Sequence, residues 1–166
     1  LKENIESLRE QTYTDYKIIV VNNGSTDGTE EWLMYQKDLI VLNQENLGGA
    51  GGFHTGIKYA VQSGFDYIWL MDDDTIPTKN ALDNMFQKVQ LLAKNSWGFL
   101  CSRVVDLTDN SSNVPEIDMR KWGRAYPNWD EKIDYKMVKI RYATFVSVLI
   151  PVENIKEYGL PIKDFF

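Results

Sequence analysis

Short apolar runs alternate with segments of helical periodicity along most of the chain. The apolar runs are rich in β-branched residues, end in polar or turn-forming residues, and lie at 17–22, 39–44, 65–71 and 97–106. Runs of this kind are typical of strands that are buried on both faces. Strands that alternate with amphipathic helices predict an α/β fold, with a mostly parallel central sheet flanked by helices.

Helical spacing of apolar residues indicates the segments between these runs. We expect helices in 1–13, after the turn at 25–27, after the glycine-rich segment up to Gly64, and in 78–94. The pattern changes after Asp106. It becomes loop-like, then aromatic-rich, then strand-like from Ala143 to Val152, and it closes with a short helix ended by Gly159.

We interpret residues 1–166 as a single domain. The half at 1–106 carries the regular alternation and is predicted to bind a nucleotide, and the half at 107–166 is more irregular. A chain of 166 residues, 43% hydrophobic and 25% charged, is long enough for one real core. No apolar run approaches the roughly 18 residues that cross a membrane.

Charge and cysteine content exclude some classes of protein. The net charge of −6, with no basic stripe, argues against nucleic-acid binding. The single cysteine, Cys101, allows no disulfide within the chain and favours a reducing compartment. Because it lies in an apolar run, we expect Cys101 to be a buried packing residue and not a nucleophile.

Polar clusters follow three of the predicted strands directly. They are 22–28, 43–52 and 72–75. Ligands of open α/β sheets bind beyond the carboxyl ends of the strands, and parallel strands place those ends on one edge. We therefore expect the clusters to form one site, with Asn22, at the tip of the first strand, as a candidate ligand contact.

In the third cluster, an apolar strand is followed directly by Asp72, Asp73 and Asp74. On an extended strand end, Asp72 and Asp74 would point to the same side. Two carboxylates on one side suit Mg²⁺ or Mn²⁺, which keep several waters and bridge to substrate phosphates. Such an ion would let an acidic protein accept an anionic substrate. The alternative is a solvated turn, with one aspartate capping the helix that starts near Thr78.

The glycine-rich segment 46–56 opens the predicted third helix. It contains five glycines, Gly48 and Gly49 among them, which permit close approach of a ligand to the backbone. At a helix start, such a loop can present N–H groups to an anion. It matches neither the Walker A loop nor the dinucleotide-binding fingerprint. The alternative is a flexible turn whose small residues help the helix to pack on the sheet.

His54 is the only histidine of the chain, and no nucleophile motif accompanies it. We expect it to line the cleft or to support residues that do. Trp122, Tyr126 and Trp129 could form a platform for a sugar acceptor, and a role in the core or its rim is the alternative.

Four segments together resemble family 2 glycosyltransferases of the GT-A fold. In order along the chain they are IIVVNNGSTDGTEEWL, NLGGAGGFHTGI, YIWLMDDDTIP and FVSVLIPVENIKEYGLP. Within that family, NLGGAGGF and the triple aspartate are most similar to bacterial galactofuranosyltransferase-type and rhamnosyltransferase-type members. The resemblance implies an inverting, metal-dependent transferase of cell-surface polysaccharide synthesis. Its donor would be a UDP- or dTDP-linked sugar, and its acceptor a glycan or a lipid-linked glycan. The half at 1–106 would then bind the nucleotide sugar, and the half at 107–166 would form the acceptor side.

The resemblance also implies roles for the residues of the first two clusters. Asn22 would contact the nucleobase or ribose, although many relatives carry aspartate at this position. Asn46, Gly48 and Gly49 would border the nucleotide. His54 stands where relatives often have asparagine.

The DxD motif of the family falls on Asp72 and Asp74. By resemblance, Asp74 would be the main ligand of Mg²⁺ or Mn²⁺, Asp72 would face the ribose or the metal, and Asp73 would lie nearer the donor sugar. The family's first strand is expected before Leu1 and its catalytic base beyond Phe166. The resemblance therefore implies a chain truncated at both ends, which could be inactive alone.

Two other functions remain as alternatives. A nucleotidyltransferase would also use an α/β sheet and carboxylate-held Mg²⁺, but it usually carries a basic residue in its glycine-rich loop, and NLGGAGGF has none. A non-catalytic nucleotide-binding fragment is the other. For the transferase, nucleotide sugars and a lone thiol favour the bacterial cytoplasm, with possible peripheral association at the inner face of the membrane.

Overall fold

The computed structural model of the chain describes residues 1–94, 96–109, 112–113, 116–117 and 137–163. Within these ranges the helices are α1 (Lys2–Arg9), α2 (Thr29–Leu33), α3 (Gly48–Gln62), α4 (Ala81–Val89) and α5 (Val152–Tyr158). The strands are β1 (Ile18–Asn23), β2 (Leu39–Gln44), β3 (Tyr67–Leu70), β4 (Leu100–Cys101), β5 (Val104–Val105), β6 (Ser112–Asn113), β7 (Glu116–Ile117), β8 (Ile140–Tyr142) and β9 (Val148–Pro151).

The strands pair in both directions. β1 and β2 are parallel and in register from Ile18 opposite Leu39 to Asn23 opposite Gln44. β9 lies between β3 and β4 and is antiparallel to both, so β3 and β4 run in the same direction. The α/β class is confirmed, and the reversed strand β9 is the feature that the strand–helix alternation did not indicate.

Helices cover both faces of β3. Ile68 and Leu70 are buried against the core residues of α3 and α5, whereas Trp69 packs with the clusters built from α1 and α4. Successive side chains of a strand point to opposite faces, so β3 is buried on both sides, as its apolar sequence predicts. The Trp69 Nε1–H donates to Ser147 Oγ at 3.0 Å, which ties β3 to the loop before β9.

The part of the chain after Asp106 contributes directly to this core. Val152 and Ile155 of α5 are buried in one cluster with Ile57 and Ala60 of α3. The first 106 residues therefore share a hydrophobic core with the last described segment. The division of ligand binding between 1–106 and 107–166 stays a prediction.

Some element boundaries differ from the predicted ones. The glycine-rich segment is not a turn before a helix but forms the first turns of α3, starting at Gly48 with φ of +70°. The strand predicted at 97–106 is two short strands, β4 and β5, with different partners. α4 ends at Val89, although its apolar spacing continues to Leu92.

A cavity of about 890 Å³ lies between β1 and β3. Every residue of both strands lines it. Because alternate side chains face opposite ways, a cavity that touches all of them must run along the strand edges. Among the described strands, β1 pairs only with β2 and β3 only with β9, so these two edges are unpaired. The first strand expected from the family resemblance remains a prediction, and the sheet has room for it here.

Of the helices that the structure describes, none combines the length and the apolar character needed to cross a membrane.

Candidate functional site

The carboxyl ends of β1 and β2 form a network of side-chain amides. Asn22 is 5% exposed, and its Nδ2 donates to Asn43 Oδ1 at 3.0 Å, directly across the parallel pair. Its Oδ1 accepts from the backbone N–H of Ser25 at 3.2 Å. The amide of Asn22 thus stabilises the turn after β1 while the residue also lines the cavity.

Asn23 connects β1 to the loop that enters α3. Its Nδ2 donates to Asn46 Oδ1 at 3.2 Å and to the Gly48 carbonyl at 3.0 Å. Its Oδ1 accepts from Gln44 Nε2 at 2.7 Å and from the Leu47 N–H at 3.0 Å. Sequence reasoning favoured Asn22 over Asn23 as a ligand contact, and it did not identify Asn23 as the residue that orders both loops.

Gly24 allows these two loops to touch through their backbones. A Cβ at Gly24 would lie 2.8 Å from the backbone nitrogen of Asn46, and φ is +74°. Both the space and the dihedral angle therefore require glycine. The Asn-Gly pair at Asn23–Gly24 is a turn signal from which this position could have been found.

The start of α3 presents backbone donors to open space. Asn46 Oδ1 accepts from the Gly48 N–H at 2.9 Å, and no described side chain accepts from the N–H of Gly49 or Ala50. A Cβ at Gly48 or Gly49 would meet nothing within 4 Å. The first N–H groups of a helix lack intrahelical acceptors and favour anions. This end of α3 can therefore hold a phosphate group.

The aspartates form a turn and not a strand end. β3 stops at Leu70, and the Thr75 N–H donates to the Asp72 carbonyl at 3.2 Å. The alternation that put Asp72 and Asp74 on one side therefore does not apply, because the backbone is no longer extended. The Thr75 carbonyl accepts from Asn4 Nδ2 at 2.6 Å, and the Thr75 hydroxyl donates to the Val146 carbonyl at 3.3 Å. The turn is thus fixed from two sides at its last residue.

Uncompensated negative charge collects at this turn. Desolvation raises the pKa of Asp72, and repulsion from the carboxylates of Asp74 and then Asp73 raises it further. The amino group of Leu1 lies 3.8 Å from Asp73 Oδ2, but the Asp73 side chain is 76% exposed, so this contact is screened. Neighbouring negative charges that raise the pKa of a carboxylate also attract a cation, and a bound cation would stabilise the charged carboxylate.

Binding of magnesium or manganese at this turn stays a prediction, and the ion would have to be shared with a ligand. The described residues contain no group of three His, Cys, Asp or Glu arranged as a complete metal site. Two carboxylates and a substrate diphosphate would complete the oxygen shell that such an ion prefers. Asp72 and Asp74 are the residues that would hold it.

The structure brings part of the predicted site together on one cavity. Asn22, Gly49, Asp72 and Asp73 all line the cavity between β1 and β3, at its carboxyl end. Asn46, Gly48 and Asp74 do not line it. Asn46 and Gly48 bind Asn23, and the charge of Asp74 acts on Asp72.

Several other sequence predictions concern residues outside the cavity. Cys101 is half-buried, and burial raises its pKa to about 11, so the thiol is protonated at neutral pH and suits packing better than nucleophilic attack. His54 does not line the cavity, although its neighbour Phe53 does. Trp122, Tyr126 and Trp129 lie outside the described residues.

Comparison with known proteins agrees with this geometry. Glycosyl transferase family 2 matches residues 1–159. Glycosyltransferase GlyG of Streptococcus pneumoniae is 38% identical over 95 residues, which cover 54% of this chain and 31% of that protein. Galactofuranosyltransferase GlfT1 of Mycobacterium tuberculosis is 36% identical over 78 residues, 45% of this chain and 26% of that protein. Poly-beta-1,6-N-acetyl-D-glucosamine synthase of Staphylococcus aureus is 34% identical over 86 residues, 49% of this chain and 20% of that protein.

The aligned regions thus span less than a third of the length of each of these relatives. The family match, in contrast, extends from the first residue through α5 and includes every element that forms the candidate site. The chain therefore belongs to glycosyl transferase family 2, and its α/β architecture is that of the GT-A fold.

Proposed function

We propose that the chain binds a nucleotide-diphosphate sugar at the carboxyl end of the β1–β3 cavity and is the donor-binding part of an inverting, metal-dependent glycosyltransferase. The observation that carries the proposal is the convergence of a helix N-terminus, an amide network and an aspartate turn on one cavity. The helix N-terminus offers hydrogen-bond donors to a phosphate, the amide network can position a nucleoside, and the aspartate turn attracts a cation.

Each part of the chain has a defined task in this proposal. The free N–H groups of Gly49 and Ala50 bind a phosphate oxygen, and Asn22 borders the nucleoside. Asp72 and Asp74 hold Mg²⁺ or Mn²⁺, which when bound would neutralise the charge of the departing nucleoside diphosphate. Asp73 lies nearer the sugar. We assign the general base to no residue of this chain and expect it beyond Phe166.

The proposed substrates follow from the relatives. GlfT1 is named a galactofuranosyltransferase, which supports a UDP-galactofuranose-type donor, and a dTDP-rhamnose-type donor is the alternative. The acceptor is a glycan or a lipid-linked glycan of a cell-surface polysaccharide, by analogy with the synthase of S. aureus. Donors of this kind favour action in the cytoplasm, at the inner face of the membrane if the acceptor is lipid-linked.

The test is calorimetric titration of the chain with UDP and with dTDP, each with and without Mn²⁺. We expect metal-dependent binding that Asp74→Ala weakens by about tenfold or more, as is usual when a group that supports a bound metal is removed. Asp66→Ala is the matched control, because it removes an exposed carboxylate just before β3, at the opposite end of that strand. The preferred nucleotide identifies the donor class.

Other outcomes would change the proposal in defined ways. Binding that is independent of Mn²⁺ and unaffected by Asp74→Ala would contradict the role of the aspartates. Binding only by a form extended at both ends would show that the site needs residues outside 1–166. Failure of both forms to bind either nucleotide would contradict the proposal.

A further inference from the structure

His54 joins helix α3 to the segment that follows α5. Its Nδ1 lies 2.7 Å from the carbonyl oxygen of Pro161, a residue 107 positions further along the chain. A carbonyl oxygen can only accept a hydrogen bond, so Nδ1 carries the hydrogen. We propose that His54 is a positioning residue that fixes residues 159–163 against α3, the helix whose start we propose to bind the phosphate of the nucleotide sugar.

The segment 159–163 has few other attachments. Gly159 turns the chain out of α5 with φ of +96°, and its N–H donates to Ile155 at 2.9 Å as part of the helix end. Leu160 is 37% exposed and Ile162 is 67% exposed, so neither side chain anchors the segment in the core. Within the described part of the chain, the contact with His54 is the only hydrogen bond made by Leu160 to Lys163.

Pro161 makes a single hydrogen bond an effective anchor. Its ring fixes φ, so a carbonyl that is held in place also fixes the direction of the chain on either side of it. His54 is half-buried on α3, where the helix limits the freedom of its side chain. Both groups have restricted dihedral angles, so forming the bond costs less conformational entropy than it would between two flexible groups.

The location of the contact gives it a functional meaning. His54 follows Phe53, which lines the cavity and packs edge-to-face on Phe145 with ring centroids 5.0 Å apart. Phe145 precedes Val146, whose carbonyl accepts from Thr75 of the aspartate turn. The second turn of α3 thus contacts the loop that holds the aspartates. His54 therefore lies in the same turn of α3 as Phe53, which makes this contact.

This arrangement predicts that His54 orders the segment without contributing to nucleotide affinity. The test compares the wild-type chain with His54→Phe, which keeps a ring but has no donor, and with His54→Gln, which keeps an N–H donor. Lys58→Ala, one turn further along α3 and exposed, is the matched control. Backbone order parameters of Leu160, Ile162 and Lys163, from NMR relaxation of their amide nitrogens, are measured together with the affinity for UDP in Mn²⁺.

We expect these order parameters to fall from about 0.85, typical of rigid backbone, to below about 0.6 in His54→Phe. His54→Gln should restore most of the order, Lys58→Ala should leave it unchanged, and UDP affinity should be equal in all four proteins. Nitrogen NMR of the wild-type ring should show the hydrogen on Nδ1 when the ring is neutral.

Equal order parameters in wild type and His54→Phe, or a neutral ring with its hydrogen on Nε2, would overturn the proposal. So would a lower UDP affinity in His54→Phe, because His54 would then act on the nucleotide. A chain that does not bind UDP contradicts the proposed donor site, whereas the order parameters and the tautomer test His54 independently of it.

Discussion

Asn23 links the end of β1, the end of β2 and the entry to α3 through one side-chain amide. It makes two hydrogen bonds as donor and two as acceptor, and three of its partners belong to the loop at 46–48. Its neighbour Asn22 makes its bonds to the strand pair and its own turn. The loops that border the proposed phosphate site therefore depend on Asn23 for their relative position.

Replacement of Asn23 should thus reduce both stability and ligand binding. We expect Asn23→Ala to lower the free energy of unfolding by about 1–3 kcal/mol, because partly buried partners lose their bonds. Asn23→Asp keeps the two acceptor contacts and should lose less. Urea denaturation measures both, with Asn84→Ala on the exposed surface of α4 as the control. A loss in Asn23→Ala no larger than that in Asn84→Ala would contradict this role.

Asp72 lowers the stability of the fold by an amount that depends on pH. Its pKa is raised in the folded chain, so the folded state binds more protons than the unfolded state between the unfolded value of 3.8 and the raised value. The stability that the protonated form contributes is therefore fully present below pH 3.8, and it is lost as the pH rises through the pKa of the folded state. At neutral pH the charged carboxylate destabilises the fold, by less than about 1 kcal/mol because solvent screens it.

Asp72→Asn should remove this dependence. We expect the variant to melt at a higher temperature than wild type at pH 7 and to match it near pH 3.5, when both are followed by circular dichroism at a series of pH values. Asp66→Asn makes the same chemical change at the other end of β3 and serves as the control. A stability difference that does not vary with pH would exclude titration of Asp72 as its cause.

Sequence reasoning identified some of these residues and not others for a physical reason. The aspartates stood out because three adjacent carboxylates after an apolar strand repel one another. Asn23 did not stand out, because side-chain alternation tells which face a residue occupies and not which partners lie 21 to 25 positions away. The close approach at Gly24 likewise depends on a second loop.

The first turns of α3 show the same difference at the scale of an element. Glycine disfavours the interior of a helix, so GGAGG indicated a turn, yet all of these residues are helical. Bonds from Asn23 and Asn46 fix the residues that enter the helix. The strands were easier to predict, because β-branched runs match β1 and β2 within one residue. The reversed direction of β9 follows from chain topology, which periodicity does not encode.

Two glycines of α3 allow folding and ligand binding to be separated. A Cβ at Gly51 would overlap with Leu47 Cβ, so Gly51→Ala forces the helix start to shift and should cost about 1–3 kcal/mol. Gly49 has open space on that side and no positive φ, so Gly49→Ala should keep or slightly raise stability. The new methyl group would nevertheless stand where the phosphate is proposed to bind.

We therefore expect opposite effects from these two variants. Gly49→Ala should weaken UDP binding with an unchanged melting temperature, and Gly51→Ala should lower the melting temperature. Thermal unfolding and calorimetry on the same samples measure the two quantities. If Gly49→Ala binds UDP as wild type does, the start of α3 is not the phosphate site.

For the whole molecule, the main departure from a continuous sheet is the cavity between β1 and β3. Its walls are apolar along the strands and along α1, where Ile5 and Leu8 line it, and polar at the carboxyl end. The local pattern predicted the strands on each side of it but not their separation, because strand order is a property of the assembled fold. Among the described strands, the facing edges of β1 and β3 have no partner, and such edges over an apolar cavity could accept another strand.

An added strand should therefore stabilise the chain. The amino group of Leu1 lies 3.8 Å from Asp73, at the carboxyl end of the cavity, so residues placed before Leu1 could enter it in the direction of β3. A copy of Ile18–Val21 followed by Asn-Gly, joined to Leu1, should raise the melting temperature and slow hydrogen exchange in both β1 and β3. Each buried Ile or Val contributes about 1.5–3 kcal/mol, which exceeds the cost of about 1–2 kcal/mol for ordering its backbone.

A Gly-Ser extension of equal length is the control, because it can pair but brings no apolar surface. Equal protection of β1 and β3 by the two extensions would show that apolar burial is not what the cavity requires, and protection of neither strand would show that the cavity does not accept a strand.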